Sequence, residues 1–180
     1  MILRAGGDTW LRSAELADAE PIFALVEANR AHLRRWLGWV DAIRGPEQIR
    51  TFLEGVIERE RAGTSLELVI EHRDEIAGIC GFRTIDLVNR AAELGYWLRA
   101  DREGRGIVTR CCRALLERGF GAMGLNRIAL LAATDNARSV RVAERLEFRL
   151  EGVLRETEWR DDHFEDHAVY ALLARDTISA

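Results

Sequence analysis

The segment "LGYWLRADREGRGIVTRCCRALLERGF", residues 94–120, changes its hydrophobic period at a pair of glycines. The residues before Gly104 and Gly106 alternate in the manner of a strand, whereas Cys112 and Leu115 after them fall on one face of a predicted helix. The first backbone amides of a helix have no internal partner and lie at the positive end of its dipole. Because glycine has no Cβ, an anion such as a phosphate can approach these amides closely. The segment therefore predicts a strand, an anion-binding turn and a helix.

The turn by itself does not identify the anion. Residues 104–109 read GRGIVT, which lacks the third glycine of a dinucleotide-binding fingerprint, and no GxxxxGK(S/T) phosphate loop occurs in the chain. Arg102 and Arg105 would add charge-assisted contacts to a bound anion. An isolated GxG is nevertheless more often a turn before a core helix than a ligand site. Spacing alone leaves both interpretations open, and the surrounding segments have to decide between them.

The flanking segments predict more strands. Alternating or apolar patterns of strand length occur at residues 9–13, 66–86, 92–99, 126–134 and 149–174. The second and the last of these are long enough to be hairpins, with turns near Arg73–Asp74 and Asp161–Asp162.

Helical patterns separate these strands. Asp18 is a candidate cap for a first helix, Pro46 opens a second helix that ends near Gly63, and Asp135 or Asn136 caps a short last helix. The resulting order is strand, helices, three strands, helix, strand, helix and two strands. That order predicts a mixed sheet with helices on both faces, an α/β or α+β domain.

Composition excludes several classes of protein. The 180 residues are 48% apolar and 31% charged, a globular balance, and we expect a single domain over residues 1–180. The net charge of −4 argues against a nucleic-acid partner, and no apolar run of 18 residues predicts a membrane span. Three cysteines without disulfide spacing fit a reduced, cytoplasmic protein. No HExxH or CxxC pattern occurs, so no metal site is expected.

Several separated motifs together resemble one family. "LGYWLRADREGRGIVTRCCRALLERGF" is followed by "LNRIALLAATDNARSVRVAERLEFRLEG", with "HLRRWLGWVD" near the start of the chain and "DHAVYALLA" near its end. These segments resemble the Gcn5-related N-acetyltransferases (GNAT), and within them the RimJ/RimL branch that acetylates ribosomal-protein N-termini. The resemblance extends from about residue 9 to residue 174. It implies the GNAT fold, whose mostly antiparallel central sheet is splayed at a bulge.

The resemblance implies that the anion is the pyrophosphate of acetyl-coenzyme A. It would lie on the turn from Glu103 to Val108, and the strand before it would hold the pantetheine arm. The residues expected to bind the coenzyme are Gly95, Tyr96, Trp97, Leu98, Arg102, Glu103, Gly104, Arg105, Gly106, Ile107, Val108, Asn136, Arg138 and Ser139. Three positions depart from the family pattern, since Glu103 would repel a pyrophosphate, Val108 replaces a small residue, and Glu147 replaces a glycine.

The resemblance also implies catalytic roles. Ser139 would donate a hydrogen bond or proton to the departing thiolate, although an isolated serine at a helix start is more often a cap. Glu158 would be the base, with Glu156 as a rival that shares its face if the strand alternates. A covalent route through Cys111 or Cys112 is disfavoured, because Cys112 lies on the apolar face of its helix and is expected to be a core thiol.

The expected reaction is direct transfer of acetyl from acetyl-coenzyme A to an amine in a ternary complex. A protein N-terminal α-amine is the preferred acceptor, and Trp36, Trp39 and Asp41 would form a wall of its groove, unless the tryptophans are ordinary core residues. A small amine such as an amino sugar or polyamine is the alternative acceptor. A non-catalytic regulatory protein that binds acyl-coenzyme A is the alternative from another class. A homodimer is compatible with the resemblance.

Overall fold

The computed structural model describes residues 1–176 and contains one eight-stranded sheet. Its elements are β1 Ile2–Gly6, β2 Thr9–Ser13, α1 Ala19–Ala28, α2 Arg30–Arg34, α3 Pro46–Arg61, β3 Leu66–His72, β4 Glu75–Asp86, β5 Ala91–Leu98, α4 Ile107–Phe120, β6 Arg127–Ala133, α5 Ala137–Arg145, β7 Arg149–Arg160 and β8 His163–Leu173. The strand order is β1-β2-β3-β4-β5-β6-β8-β7, and β5–β6 is the parallel pair in an otherwise antiparallel ladder. The predicted α/β (α+β) class is confirmed.

The sheet has one more strand at its start than the sequence pattern predicted. β1 pairs with β2 through a turn at Gly6 and Gly7, whose φ angles of 91° and 59° favour glycine. Both predicted hairpin turns are confirmed. Arg73 and Asp74 have φ of 55° and 61°, as the tight turn between β3 and β4 requires.

The predicted role of Asp18 as a side-chain cap is wrong. Its carboxylate receives two hydrogen bonds from Arg12, at 2.8 and 2.7 Å, and a third from the amide of Glu15. The structure shows no capping bond from the Asp18 side chain to α1. The Asp18 carboxylate pairs with Arg12 on β2 rather than with the first amides of α1, because an ionised guanidinium forms stronger hydrogen bonds than a neutral amide does.

Helices cover both faces of the sheet, as predicted. On one face, α4 and α5 bury Ile107, Leu115 and Ala143 against the even-numbered residues of β3, such as Leu68. On the other face, α1 and α3 bury their apolar stripes against the opposite side of the same strands, where Val69 lies. The alternation along β3 therefore divides the core into two layers. No helix among residues 1–176 is both long and apolar enough to span a bilayer.

The sheet splays in its middle. β5 pairs with β6 only from Ala91 to Leu94, and beyond that point β6 continues along β8 as far as Ala133. The pairing of β4 with β5 has a register shift between Phe82 and Thr84, beside Leu94, the last residue of β5 that pairs with β6. Among residues 1–176, no strand pairs with the second edge of residues 95–98, which confirms the splay that the resemblance implied.

Glu147 has the left-handed conformation that its place in the family pattern suggested, with a φ of 61°. It is the second residue after α5, and the amide of Phe148 bonds back to the carbonyl of Ala143 to close the helix end. We expect Glu147→Gly to raise the free energy of unfolding by about 1 kcal/mol, because glycine adopts this conformation without the Cβ clash. Urea unfolding measures the change. Glu144→Gly, inside the same helix, is the matched control and should lower the free energy of unfolding by about 1 kcal/mol. An equal effect at both positions would contradict the argument.

Candidate active site

A cleft of about 290 Å³ lies beside the splayed end of β5. Its walls are α2 with the loop that follows it, the end of β5, the first turn of α4, and α5. The glycine turn lies at one side of the cleft and Ser139 lies at another. The cleft therefore gathers segments that the sequence places as much as 113 residues apart, from His32 to Arg145.

The glycine turn presents backbone rather than side chains. Gly104 and Gly106 have φ of 72° and 69°, and Gly106 is the residue before the first turn of α4. The helix therefore begins without a side-chain cap, and the residues of its first turn, Ile107 to Thr109, line the cleft. Amides at a helix start that no side chain satisfies form a site for an anionic group.

The two arginines near the turn take different directions. Arg102 lines the cleft, but its guanidinium forms an ion pair with Glu75 at 2.7 Å and a longer one with Asp101 at 3.9 Å. Arg105 lies outside the cleft, beside Arg110 and the β1–β2 turn. Gly95 does not line the cleft either, and the Arg83 side chain covers its Cα, because a Cβ there would lie 2.5 Å from Arg83 Cδ. Among the described ion pairs, Glu103 is matched with neither arginine but with His32 and Arg138.

Glu103 turns toward the cleft and bridges two of its walls. One carboxylate oxygen lies 3.3 Å from His32 Nε2 on α2, and the other pairs with the guanidinium of Arg138 on α5. His32 was not among the predicted site residues, and a single histidine in α2 carries no local signal of this contact. The carboxylate thus meets positive charge from Arg138 across the mouth of the cleft, although it lies in the anion-binding turn.

Ser139 is fixed by two hydrogen bonds. Its amide donates to the side chain of Asn136 at 3.1 Å, which confirms Asn136 as the cap of α5. Its hydroxyl is 2.7 Å from the hydroxyl of Tyr96 on β5. Burial raises the pKa of Tyr96, so the phenol remains protonated around neutral pH and can act as a hydrogen-bond donor. The two hydroxyls form a pair that can donate a hydrogen bond into the cleft.

Glu158 lies on the other side of the splay, on β7. Its two oxygens contact Arg160 Nη2 at 2.8 Å and His167 Nε2 at 3.3 Å. It approaches the loop after α2, since a Cβ on Gly38 would lie 3.4 Å from its Oε1. Glu158 is not among the residues that line the cleft around the glycine turn. It is instead placed where that loop meets the β7–β8 hairpin.

The predicted shared face of Glu156 and Glu158 is wrong. β7 has a register shift between Leu154 and Glu158, and Glu156 has a φ of 52°. Its amide bonds to the side chain of Asp166 instead of continuing the ladder. Alternation requires a regular strand, and the extra residues of this bulge break it.

The predicted wall residues are distributed along one loop. Trp36 lines the cleft, whereas Trp39 is 39% exposed and packs on Trp97 with ring centroids 6.1 Å apart. Asp41 pairs with Arg34 at 2.9 Å, and Arg34 also reaches Asp161 at the β7–β8 turn at 3.0 Å. The loop after α2 is therefore tied to the tip of the hairpin that carries Glu158.

The comparisons with known proteins agree with this geometry. Residues 8–149 match the family model described as an acetyltransferase (GNAT) domain. The chain belongs to the GNAT family. The ribosomal-protein-serine acetyltransferase of Escherichia coli (strain K12) is 30% identical to this GNAT over 152 residues, which are 84% of this chain and 85% of that protein.

Two solved structures with a similar fold contain coenzyme A or acetyl-CoA. RimL, a ribosomal L7/L12 α-N-protein acetyltransferase in complex with coenzyme A, has a TM-score of 0.94 and 28% identity, covering 98% of this GNAT and 99% of its own chain. The microcin C7 self-immunity acetyltransferase MccE, in complex with acetyl-CoA and AMP, has a TM-score of 0.89 and 28% identity, with 94% of both chains covered. This GNAT is an acetyl-coenzyme A-dependent N-acetyltransferase, and the predicted family and cofactor are confirmed.

The three cysteines lie in the core. Cys80, Cys111 and Cys112 are buried, and burial raises the pKa of Cys111 to about 12 and the pKa of Cys80 well above its usual range. A thiol becomes a good nucleophile only as the thiolate. The structure therefore gives no support to an acetyl-cysteine intermediate at these positions.

The native protein should accordingly react very slowly with a disulfide reagent such as DTNB at pH 8. All three thiols should become available once guanidinium chloride unfolds the chain, because unfolding exposes the buried side chains to the reagent. Absorbance of the released thionitrobenzoate counts the reactive thiols in each state. Rapid reaction of one thiol in the native state would reopen the covalent route.

Proposed function

We propose that this GNAT acetylates a protein N-terminal α-amine, of the kind found on a ribosomal protein that begins with serine. The observation that carries the proposal is the Tyr96–Ser139 hydroxyl pair, which lies where the splayed strand meets α5 beside the glycine turn. The name and extent of the Escherichia coli relative support the acceptor class.

The coenzyme fits the cleft through its diphosphate and its pantetheine arm. The diphosphate lies on the amides of Gly104, Gly106 and the first turn of α4, where glycine allows close approach. The arm runs along the free edge of residues 95–98, whose backbone groups need partners. Asn136 and Arg138 at the start of α5 lie beside it. The thioester then reaches the hydroxyl pair of Ser139 and Tyr96.

The acceptor amine must lose a proton before it attacks. An α-amine has an ordinary pKa of roughly 7.7–8.0, so the cost at neutral pH is about 1 kcal/mol, whereas lysine costs about 4–5 kcal/mol. A carboxylate such as Glu158, acting directly or through one water, is sufficient to take the proton from an α-amine. Trp36, Trp39 and Asp41 lie on the loop between Glu158 and the cleft, where an incoming peptide N-terminus would pass.

Acetyl transfer then occurs in one ternary complex. The amine lone pair forms a bond to the thioester carbonyl carbon, and the carbon–sulfur bond breaks. The proton that the nitrogen then loses replaces the one that the coenzyme sulfur takes from Ser139. Ser139 donates its proton or a hydrogen bond to the coenzyme thiolate, and Tyr96 donates in turn to Ser139. Backbone amides on the free edge of β5 meet the charge that grows on the carbonyl oxygen.

Steady-state kinetics with a serine-starting peptide test the proposal through release of coenzyme thiol. Ser139→Ala and Glu158→Gln should each lower kcat by about 100-fold, because each removes one proton-handling group. Glu156→Gln, a change of the same kind on the same strand, should leave kcat within about twofold. Turnover of amino sugars or polyamines in place of peptides would show that the acceptor is a small amine. Coenzyme binding without turnover of any amine would favour the regulatory alternative.

A second expectation concerns Glu103, whose carboxylate occupies the turn that the diphosphate requires. Glu103→Gln should tighten coenzyme A binding by about 3- to 10-fold, because it removes a like charge and releases Arg138 for the diphosphate. Calorimetry at low and high salt measures the gain, which should shrink as salt rises. Glu117→Gln, on the exposed side of α4, is the control and should change the affinity little. Weaker binding by Glu103→Gln would show that the carboxylate assists the coenzyme instead.

A further inference from the structure

A buried arginine lies at the centre of the charged cluster around Glu158. The Arg160 side chain is only 6% exposed, and its Nε contacts Glu165 at 2.7 Å while its Nη2 contacts Glu158 at 2.8 Å. His167 contacts the other oxygen of Glu158 at 3.3 Å and is 15% exposed. We call Glu158, Arg160, Glu165 and His167 the hairpin cluster. Of these four residues, only Glu158 has a role in the proposed reaction.

The hairpin cluster places like charges in direct opposition. Glu158 and Glu165 are register partners across β7 and β8, an arrangement that is destabilising unless a positive charge lies between the two carboxylates. Arg160 supplies that charge from a buried position, and burial of a guanidinium is itself costly. A simpler sequence with neutral residues at these positions would pair the strands equally well. The arrangement therefore indicates a role beyond holding the hairpin together.

A metal ion is a poor explanation of the hairpin cluster. Ligand atoms of Glu158, Glu165 and His167 lie within 4.8 Å of one another, which is close enough for a shared cation. The guanidinium of Arg160 already contacts both carboxylates, however, and a cation would have to displace a buried arginine. The positive charge that two carboxylates need is thus provided by the chain itself.

The cluster leaves Glu158 as its most exposed member. The Glu158 side chain is 36% exposed, against 10% for Glu165 and 6% for Arg160. Its Oε1 points to the loop at Gly38, and the Arg34–Asp161 ion pair fixes that loop to the hairpin tip. The remaining charged neighbour is His163, whose Nε2 is 3.9 Å from Glu165. The cluster therefore presents one carboxylate, with a neighbouring side chain at each oxygen, to the place where an acceptor would enter.

We propose that Arg160 and His167 are positioning residues that hold the Glu158 carboxylate in the orientation needed to take the acceptor's proton. This inference rests on the proposed function, since it assigns the base role to Glu158. Arg160 lies beside Oε1 and His167 lies beside Oε2, and these contacts favour one orientation of the carboxylate about its terminal bond. Glu165 holds Arg160 from the opposite strand. Misplacement of a catalytic group by about 1 Å can lower a rate by about 100-fold.

Kinetics of variants of His167 and Arg160 test the inference. His167→Ala should lower kcat with the peptide by about 10-fold and leave the KM for acetyl-coenzyme A unchanged, and His167→Gln, which keeps a donor, should restore most of the loss. Arg160→Met removes a buried charge and can unfold the hairpin, so the informative variant is the double change Arg160→Met with Glu165→Met. It removes the opposing charges together and should lower kcat by about 100-fold. His163→Ala and the exposed Arg155→Met are the controls and should retain the wild-type kcat.

Crystal structures of His167→Ala and of the double variant provide a readout that is independent of turnover. The Glu158 carboxylate should leave its position beside Gly38 in both. A carboxylate that stays in place, or a wild-type kcat in both variants while Glu158→Gln is inactive, overturns the positioning role and leaves the proposed function intact. If the wild-type enzyme acetylates no peptide, the proposed function is wrong. In that case the inference is tested only by whether the Glu158 carboxylate moves in these two crystal structures.

Discussion

The loss of pairing between β5 and β6 after four residue pairs is the constraint on which the site depends. Paired strands lie about 4.8 Å apart and leave no space for a ligand between them. Where β5 follows β4 and β6 follows β8, the sheet divides and exposes backbone groups that must find partners. The first turn of α4 lies beside this opening, so unsatisfied strand and helix amides converge on one cleft.

The two sides of the division supply different chemistry. Tyr96 on β5 contacts Ser139 on α5 beside the opening. This hydroxyl pair can form because β5 separates from β6 while β5 stays paired with β4 and β6 stays paired with β8. Glu158 belongs to β7, whose partner β8 continues the far half of the sheet. The group suited to the departing sulfur and the group suited to the incoming amine therefore come from separate structural units, and the loop after α2 lies between them.

Glu103 shows how a departure from a family pattern can be accommodated. A carboxylate at a helix start is favourable by itself, because it meets the positive end of the dipole. Its contacts with His32 and Arg138 connect α2 to α5 across the mouth of the cleft. The same contacts make Glu103 a competitor for the charges that a diphosphate would use. The residue thus contacts groups that a diphosphate at this turn would also need.

The sequence by itself determined the local elements of this GNAT and, through separated motifs in order, its family. The strand, glycine turn and helix at residues 94–120, the turns at Arg73–Asp74 and Asp161–Asp162, and the Asn136 cap all depend on residues within a few positions of one another. The tertiary structure alone decided contacts between distant segments. Tyr96 and Ser139 are 43 residues apart, Glu103 turns to a helix near the start of the chain, and a bulge in β7 separates Glu156 from Glu158. Local periodicity and turn chemistry are set by near neighbours, whereas side-chain partners depend on how strands register and where a sheet opens, and one extra residue in a strand is enough to change them.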